Sequence, residues 1–366
     1  MSRPDAADVL AAAAHLDALA AEPRPAGSAA EERARRYCGD RLSALGFRVR
    51  EEPFEYSAFP GRWATPVAGA LSALALLAAG QLGARGRAGG ALAVLAAVLL
   101  VIAAGSRWAA RRGVLAMRLL RERGVNLVAE RGAPRVWLVA HLDSKSQPVP
   151  MAARVGGIAA TALVWAAAIA LAAWQLLRAA DVAPVAWAAL SAVGVVAALP
   201  VILSLVGARS AGAVDDASGV ATVLLAAEWA PADIPLGVVL TSAEELGLAG
   251  ARAWAVGREP MAALNVDGVD DVGEMRWMAS DRASATMAQA VGGARVARLL
   301  PGILVDAVAL ADAGWAAATL SKGTVGTLRR IHTPADARDR LHGDGVAEAG
   351  RALAESARRL VRDGPG

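Results

Sequence analysis

Five short stretches of this 366-residue chain carry side chains that can bind metal ions or transfer protons. They are His141-Leu-Asp143, Asp215-Asp216, Glu244-Glu245, Asp267 and His332-Thr-Pro-Ala-Asp336. Imidazole and carboxylate groups are zinc ligands, and carboxylates also serve as general acids and bases. The chain has only four histidines, and two of them lie in these stretches. Together the residue types indicate a metal site, although each stretch alone is more typical of surface charge or of a cap on a turn or helix.

Three of the five stretches directly follow short apolar runs. These runs are typical of buried strands, and they are Val136–Ala140, Gly237–Thr241 and Ala263–Val266. Helical patterns such as Ser218–Trp229 separate the strands, which favours an α/β domain with a largely parallel sheet. Ligands of open parallel sheets bind beyond the carboxyl ends of the strands, so we expect the five stretches to meet in one crevice.

The remaining elements are predicted from local signals. Ser28 and Glu31 have the spacing of a capping box that opens a helix, and Gly46 follows as its expected stop. The other predicted elements are the strands Phe47–Phe54, Val125–Ala129 and Ala316–Leu320 and a last helix, Val346–Val361.

The composition is too apolar for an ordinary soluble protein. Hydrophobic residues make up 56% of the chain before its 37 glycines are counted, whereas soluble domains contain roughly 45–50% with glycine included. The excess lies in four uncharged runs, Ala64–Ala84, Ala88–Ser106, Val155–Leu177 and Val182–Ala208. Each has about the ~20 residues that a helix needs to cross a bilayer. We therefore predict a multi-pass integral membrane protein with two transmembrane hairpins, in preference to two helical hairpins buried in a large soluble core.

Charge and cysteine content narrow the possible partners. The formal net charge is +4, and no basic stripe interleaved with aromatic residues occurs, so we expect a lipid bilayer and no nucleic acid as partner. The single cysteine, Cys38, allows no internal disulfide. The N-terminus lacks the charged-then-apolar pattern of a signal peptide.

The five stretches also occur in the order and context of a known family. The chain resembles the M28 co-catalytic zinc peptidases of the aminopeptidase Y and aminopeptidase S type. The matching segments are Ala140-His-Leu-Asp-Ser144, Gly212-Ala-Val-Asp-Asp-Ala-Ser-Gly219, Ala243-Glu-Glu-Leu-Gly-Leu-Ala-Gly250, Asn265-Val-Asp-Gly268 and Ile331-His-Thr-Pro-Ala-Asp336. Pro25-Ala-Gly-Ser28 is similar to the family's N-terminal segment. The resemblance implies a three-layer, zinc-exopeptidase-like α/β fold with a mostly parallel central sheet.

The resemblance also implies a ligand set for two zinc ions. His141 and Asp267 would bind one ion, Glu245 and His332 would bind the other, and Asp215 would bridge them. Mn²⁺ and Co²⁺ are also compatible with these ligand types.

Two further residues receive catalytic roles from the same resemblance. Asp143 would orient the imidazole of His141, and Glu244 would act as general base for a metal-activated water. The peptide bond after Asp215 is expected to be cis. The implied activity is hydrolysis of peptide bonds, with the N-terminus of a peptide or protein as substrate.

The predicted hairpins interrupt the peptidase domain. Residues 1–62, 109–154 and 209–366 would form that domain, and residues 63–108 and 155–208 would form the hairpins. Because His141 and Asp215 must reach one metal pair, the chain between them must cross the bilayer an even number of times. The site would then lie close to the bilayer, and its substrates would be membrane-associated unless the hairpins serve only as anchors.

Sidedness follows from the positive charges beside the predicted spans. Arg85, Arg87 and Arg178 lie in the short far-side loops. The catalytic-side flanks contain Arg62, Arg107, Arg111, Arg112, Arg118, Lys145, Arg154 and Arg209. Positive charge stays in the cytoplasm, so we predict a cytoplasmic catalytic domain.

Two other functions remain open. One is a non-catalytic membrane receptor or scaffold with a peptidase-like fold, and the other is a single-zinc aminoacyl cyclase or transferase. A serine hydrolase is disfavoured because no G-x-S-x-G elbow occurs, and a transporter because the spans contain no ionisable residue. The sequence leaves open the preferred side chain, the substrate length and the oligomeric state.

Overall fold

The structure, a computed structural model, describes residues 4–179, 181–300 and 302–363. Its contacts divide the chain into two compact units. The first unit comprises the described residues of Met1–Ala58, Val114–Ser146 and Gly207–Gly366, and the second comprises those of Phe59–Gly113 and Gln147–Val206.

The described residues form eight strands and thirteen α-helices. The strands are β1 Arg48–Ser57, β2 Arg121–Arg131, β3 Val136–His141, β4 Leu236–Thr241, β5 Ala262–Val269, β6 Glu274–Ala279, β7 Arg295–Arg298 and β8 Ala316–Gly323. The helices are α1 Ala6–Leu19, α2 Ala29–Ala44, α3 Phe59–Ala84, α4 Ala88–Trp108, α5 Val114–Ala116, α6 Met151–Arg178, α7 Pro184–Ile202, α8 Ser218–Trp229, α9 Ala249–Ala255, α10 Arg282–Val291, α11 Asp306–Asp312, α12 Val325–Arg330 and α13 Asp344–Asp363.

All eight strands belong to one sheet, in the order β1-β2-β4-β3-β5-β8-β6-β7. The four central strands, β4, β3, β5 and β8, run parallel to one another. β2 runs antiparallel to both β1 and β4, and β6 runs antiparallel to β8 but parallel to β7. The predicted α/β fold with a mostly parallel sheet is therefore confirmed.

Helices cover both faces of this sheet. Along β3, Leu138 and Ala140 pack into a core with residues of α8 and α13, whereas Trp137 and Val139 pack into a second core with residues of α9 and α11. Successive side chains of a strand point to opposite faces, so a strand buried on both sides has to be apolar throughout. The continuous run Val136–Ala140 is thus explained by a three-layer arrangement.

Two strands at one side of the sheet were not predicted. β6 alternates between exposed and buried residues, and β7 has no fully buried residue. Strands near a sheet edge need only one apolar face or none, so they lack the continuous apolar runs that identify β3, β4 and β5.

The capping box at the start of α2 is only half formed. Ser28 Oγ accepts a hydrogen bond from the amide of Glu31 at 3.2 Å, as expected. The Glu31 carboxylate accepts from the amide of Gly27, at 2.6 Å, and not from that of Ser28. The Ser28 amide already donates to the carbonyl of Pro25, at 3.0 Å, which leaves the preceding amide as the available donor.

The second unit consists of the helices α3, α4, α6 and α7 and the segments that join them. All four are long and apolar enough, by length and composition, to cross a membrane. Glycines let them approach closely, since a Cβ on Gly83 would lie 2.2 Å from the indole of Trp187. The helix α7 ends at Ile202, before the end at Ala208 that the uncharged run predicts. Hydropathy does not detect this end, because the residues that follow Ile202 are still apolar. They no longer belong to the helix, and Gly207 forms a β-bridge with Ser146.

Candidate active site

The sheet register brings the first candidate ligands together. His141 is the last residue of β3 and lies opposite Thr241, the last residue of β4. Val139 lies opposite Asn265 of β5, so His141 and Asp267 each come two residues further along adjacent parallel strands. The expected crevice at the carboxyl ends of the strands is therefore the place where these side chains meet.

The five candidate ligands and Glu244 form two groups of three. One group contains His141, Glu244 and Asp267, and the other contains Asp215, Glu245 and His332. Within each group, the candidate ligand atoms all lie within 4.8 Å of one another. Glu244, assigned to proton transfer by resemblance, is thus as close to His141 as a ligand would be, with its Oε2 3.9 Å from His141 Nε2.

Asp215 joins the two groups. Its Oδ1 lies 3.2 Å from His141 Nε2, and its Oδ2 lies 2.9 Å from His332 Nε2. The peptide bond between Asp215 and Asp216 is cis, as the resemblance implies. A carboxylate that presents one oxygen to each histidine has the geometry of a bridge between two sites.

The donor atoms of this cluster suit zinc. His141 Nε2 and Glu245 Oε1 are buried and make no hydrogen bond to the described residues. A buried polar atom without a partner is costly, and a cation bound between such atoms would remove that cost. The residues present therefore fit a zinc site.

Asp143 contacts different atoms from those expected. Its Oδ1 is 3.7 Å from His141 Nδ1, too far for a hydrogen bond, and the backbone carbonyl of Asp143 takes that role at 3.0 Å. The two carboxylate oxygens of Asp143 accept instead from the amides of Glu244 and Glu245, at 3.0 and 3.2 Å. Asp143 thus holds the Glu244-Glu245 loop against the end of β3, and its main chain orients the imidazole.

Buried aspartates hold the other ligand-bearing segments. Asp216 accepts from the amides of His141, Gly219 and Gly268, at 3.2, 2.9 and 3.2 Å. Asp336 accepts from the amides of Val214 and Asp215, at 2.7 and 3.2 Å. Of these residues, Asp336 belongs to the His332 stretch and Asp216 follows the bridging position. Neither carboxylate is among the grouped ligands, so their role in this structure is to fix the backbone.

Burial and neighbouring charges shift the pKa values of the carboxyl groups in opposite directions. Burial raises the pKa of Glu244 well above its ordinary value, an effect that His141 opposes and neighbouring carboxylates reinforce. Burial, with the charge of Asp215, raises the pKa of Asp267 to about 7. Burial also disfavours ionised Asp215, but His332 and His141 hold its pKa well below the ordinary value. Carboxyl groups whose pKa values are pushed apart in this way are typical of acid–base sites.

Sequence reasoning missed three residues near the site. Arg24 is buried and donates to the carbonyls of Leu142, Ala211 and Gly212, at 2.9, 2.7 and 3.3 Å. Asp306 is buried and accepts from Thr241 Oγ1. Lys145 forms an ion pair with Glu245. Only Lys145 had a sequence signal, since it directly follows the His141 motif and is one of two lysines in the chain.

Solved structures with a similar fold include three enzymes. An aminopeptidase from Aneurinibacillus sp. strain AM-1 is 14% identical with a TM-score of 0.53, covering 98% of this chain and 94% of its own. The zinc aminopeptidase BSAP from Bacillus subtilis is 15% identical with a TM-score of 0.53, covering 96% and 94%. A glutaminyl cyclase from Fimbriiglobus ruber is 14% identical with a TM-score of 0.53, covering 98% and 97%. At these identities the likeness shows the fold alone.

Comparison at the level of sequence gives one match to a family model. No curated protein matches the chain. Residues 200–357 match the model of peptidase family M28, and this segment contains Asp215, Glu244, Glu245, Asp267 and His332. Over residues 200–357, the match confirms the resemblance to peptidase family M28 that the motifs indicate.

Proposed function

We propose that the protein is a membrane-anchored di-zinc metallopeptidase that acts as an aminopeptidase. The observation that carries this proposal is the orientation of Asp215, whose two oxygens face His141 Nε2 and His332 Nε2 at 3.2 and 2.9 Å. A single metal site needs no carboxylate placed between two histidines. Two adjacent sites need such a shared ligand, because each ion then has three protein ligands and keeps a position for water.

Zinc and the residues of the chain would have separate roles in the reaction. Zinc, when bound, polarises a carbonyl and lowers the pKa of a water molecule. Glu244, whose Oε2 lies 3.9 Å from His141 Nε2, would take a proton from that water and give one to the leaving amine. Asp143 fixes the backbone of Glu244, so the base has a defined position.

A second candidate function is aminoacyl cyclisation. Glutaminyl cyclases are among the similar structures, with TM-scores of 0.53 and 0.51. The fold is therefore compatible with either reaction, and the number of metal ions and the product distinguish them. A non-catalytic receptor or scaffold is disfavoured, because the cluster keeps all five ligands that the resemblance implies as well as the base.

The helices of the second unit are proposed as two transmembrane hairpins that anchor the enzyme. Their length and apolar composition support this proposal, and the arginines that flank them favour a cytoplasmic peptidase domain. Protease treatment of intact cells tests the sidedness. The peptidase domain should be protected from outside, and digestion there would contradict the assignment.

The decisive experiment measures zinc content and reaction products in the full chain purified in detergent. Wild type should contain two zinc ions and hydrolyse members of an aminoacyl-amide panel. Glu244→Gln should keep both ions and lose roughly 10²–10⁴-fold in kcat/KM. Glu274→Gln is the matched control, because Glu274 is exposed on β6 and paired with Arg276.

Three outcomes would contradict the proposal. Zinc-loaded wild type that hydrolyses no aminoacyl amide would exclude the aminopeptidase. Cyclised product from a peptide with N-terminal glutamine, with ammonia release and one zinc ion per chain, would favour the cyclase. Failure to bind zinc at all would favour a receptor or scaffold.

A further inference from the structure

A lysine contacts one of the proposed zinc ligands. The ammonium of Lys145 forms an ion pair with Glu245 Oε2, and the Lys145 side chain is only 18% exposed. The other lysine of the chain, Lys322, pairs with Glu348 Oε2 at 2.6 Å, outside the proposed site. Lys145 therefore places a positive charge at the site. Lys322 forms the same kind of ion pair elsewhere, so it can serve as a control.

The two carboxylate oxygens of Glu245 have different surroundings. Oε1 is buried, makes no hydrogen bond to the described residues and lies 3.4 Å from His332 Nε2. Oε2 is the atom that Lys145 contacts. Oε1 thus faces His332 of its own group, whereas Oε2 faces Lys145.

The backbone on both sides of Lys145 is fixed. Ser144 donates from its amide to the carbonyl of Arg24, at 2.9 Å, and from its hydroxyl to the carbonyl of Ser210, at 3.1 Å. Ser146 and Gly207 exchange two backbone hydrogen bonds, of 2.8 and 2.7 Å. The lysine between these anchors is therefore held in place before any ion binds.

We propose that Lys145 is a positioning residue that keeps Glu245 monodentate toward the zinc ion bound by Asp215, Glu245 and His332. This inference rests on the proposed di-zinc function. A carboxylate can offer a metal one oxygen or both. An ammonium beside Oε2 leaves Oε1 as the oxygen that can bind the ion. The ammonium also withdraws negative charge from the carboxylate. The ion in this group then has a low coordination number, keeps an open position for water or substrate and binds more weakly than the ion near His141.

The test replaces the ammonium and follows the metal itself. Zinc is titrated calorimetrically into the metal-free full chain, and the visible absorption of the cobalt(II) protein reports coordination number. Lys145→Met should tighten binding of the weaker ion by about tenfold, the scale of outer-shell effects on metal affinity. Its cobalt band should weaken, because Glu245 can then bind with both oxygens and raise the coordination number.

Two variants serve as controls. Lys145→Arg keeps a cation beside Glu245 and should resemble wild type in both measurements. Lys322→Met removes the other lysine and should also leave both measurements unchanged. Lys145→Gln is a second neutral replacement if the Met variant does not fold.

The outcomes separate this inference from the proposed function. Unchanged or weaker zinc binding in a folded Lys145→Met or Lys145→Gln variant overturns the role of Lys145. If wild type binds a single zinc ion, the neutral variants should gain a second, and failure to gain it overturns the inference. If wild type shows the expected zinc and cobalt behaviour but hydrolyses no peptide, the aminopeptidase proposal fails and the role of Lys145 stands.

Discussion

The two units of this protein bury different kinds of side chain. The first unit buries the ionisable groups Arg24, Asp143, Asp216, Asp336 and Glu244. Among the described residues of the second unit, the buried polar side chains are the neutral Thr161, Gln175, Ser191 and Ser204. Buried charge is tolerated only where hydrogen bonds and opposite charges surround it. The first unit therefore depends on specific polar contacts, whereas the second depends on close apolar packing.

The sharpest test of this difference is Asp216→Ala in the first unit. The substitution would leave the buried amides of His141 and Gly219 and the partly buried amide of Gly268 without this acceptor. Each unsatisfied buried group costs about 1–3 kcal/mol, so the two fully buried amides, of His141 and Gly219, lead us to expect a fall of roughly 2–6 kcal/mol in the free energy of unfolding. Chemical denaturation of the full chain in detergent measures this loss.

A graded series controls for the volume change at Asp216. Asp216→Asn keeps one carboxamide oxygen for Gly219 and Gly268 and should lose about half as much stability. Asp17→Ala removes an exposed aspartate that pairs with Arg338, and it should change stability by less than about 0.5 kcal/mol. Equal losses in Asp216→Ala and Asp17→Ala would show that the buried contacts are not what stabilises this unit.

A smaller effect is expected for Gln175→Leu in the second unit. Gln175 donates to the carbonyl of Gly83 at 3.0 Å and accepts from the indole of Trp187 at 3.1 Å, so it joins α6 to α3 and α7. Hydrogen bonds between apolar helices contribute modestly, and we expect a loss of roughly 1–2 kcal/mol. The kcat/KM of the folded variant should equal that of wild type. A loss as large as that of Asp216→Ala would remove the distinction between the units.

The difference between apolar packing and specific polar contacts also explains which features could be predicted from the sequence. The apolar runs of β3, β4 and β5 are read directly from the sequence, because burial on both faces of the sheet leaves no other residue type. The four long helices are recognised by their length and apolar composition. The motifs indicated all six residues of the two metal-ligand groups through the family resemblance. The hydrogen bonds of Asp143 were not foreseeable, since they depend on how the loop after β4 meets the end of β3. Arg24 was missed for the same reason: its acceptors are backbone carbonyls far along the chain, which no local pattern marks.

The smallest predicted effect concerns the pH dependence of stability, which should come from the first unit because it contains the buried ionisable groups. His15 is buried in α1 with its Nδ1 2.8 Å from Tyr37 Oη. Burial, and then the charge of Arg41, lower the pKa of His15 from 6.5 to about 4. The folded state therefore favours the neutral ring, so its contribution is complete above pH 6.5 and is lost as the pH falls toward 4. At pH 5.5 the free energy of unfolding should be about 1 kcal/mol lower than at pH 7 because of this residue.

His15→Phe isolates that contribution, because it keeps a ring beside Tyr37 and removes the proton. Denaturation at pH 7 and pH 5.5 should show a smaller decrease for this variant than for wild type, by about 1 kcal/mol. His342→Phe, at an exposed position, is the control and should retain the wild-type decrease. If His15→Phe also retains it, His15 accepts a proton as easily in the folded chain as in the unfolded one. The buried Asp267 cannot be the source of the decrease, because its raised pKa acts in the opposite direction: its ionisation destabilises the fold as the pH rises toward 7.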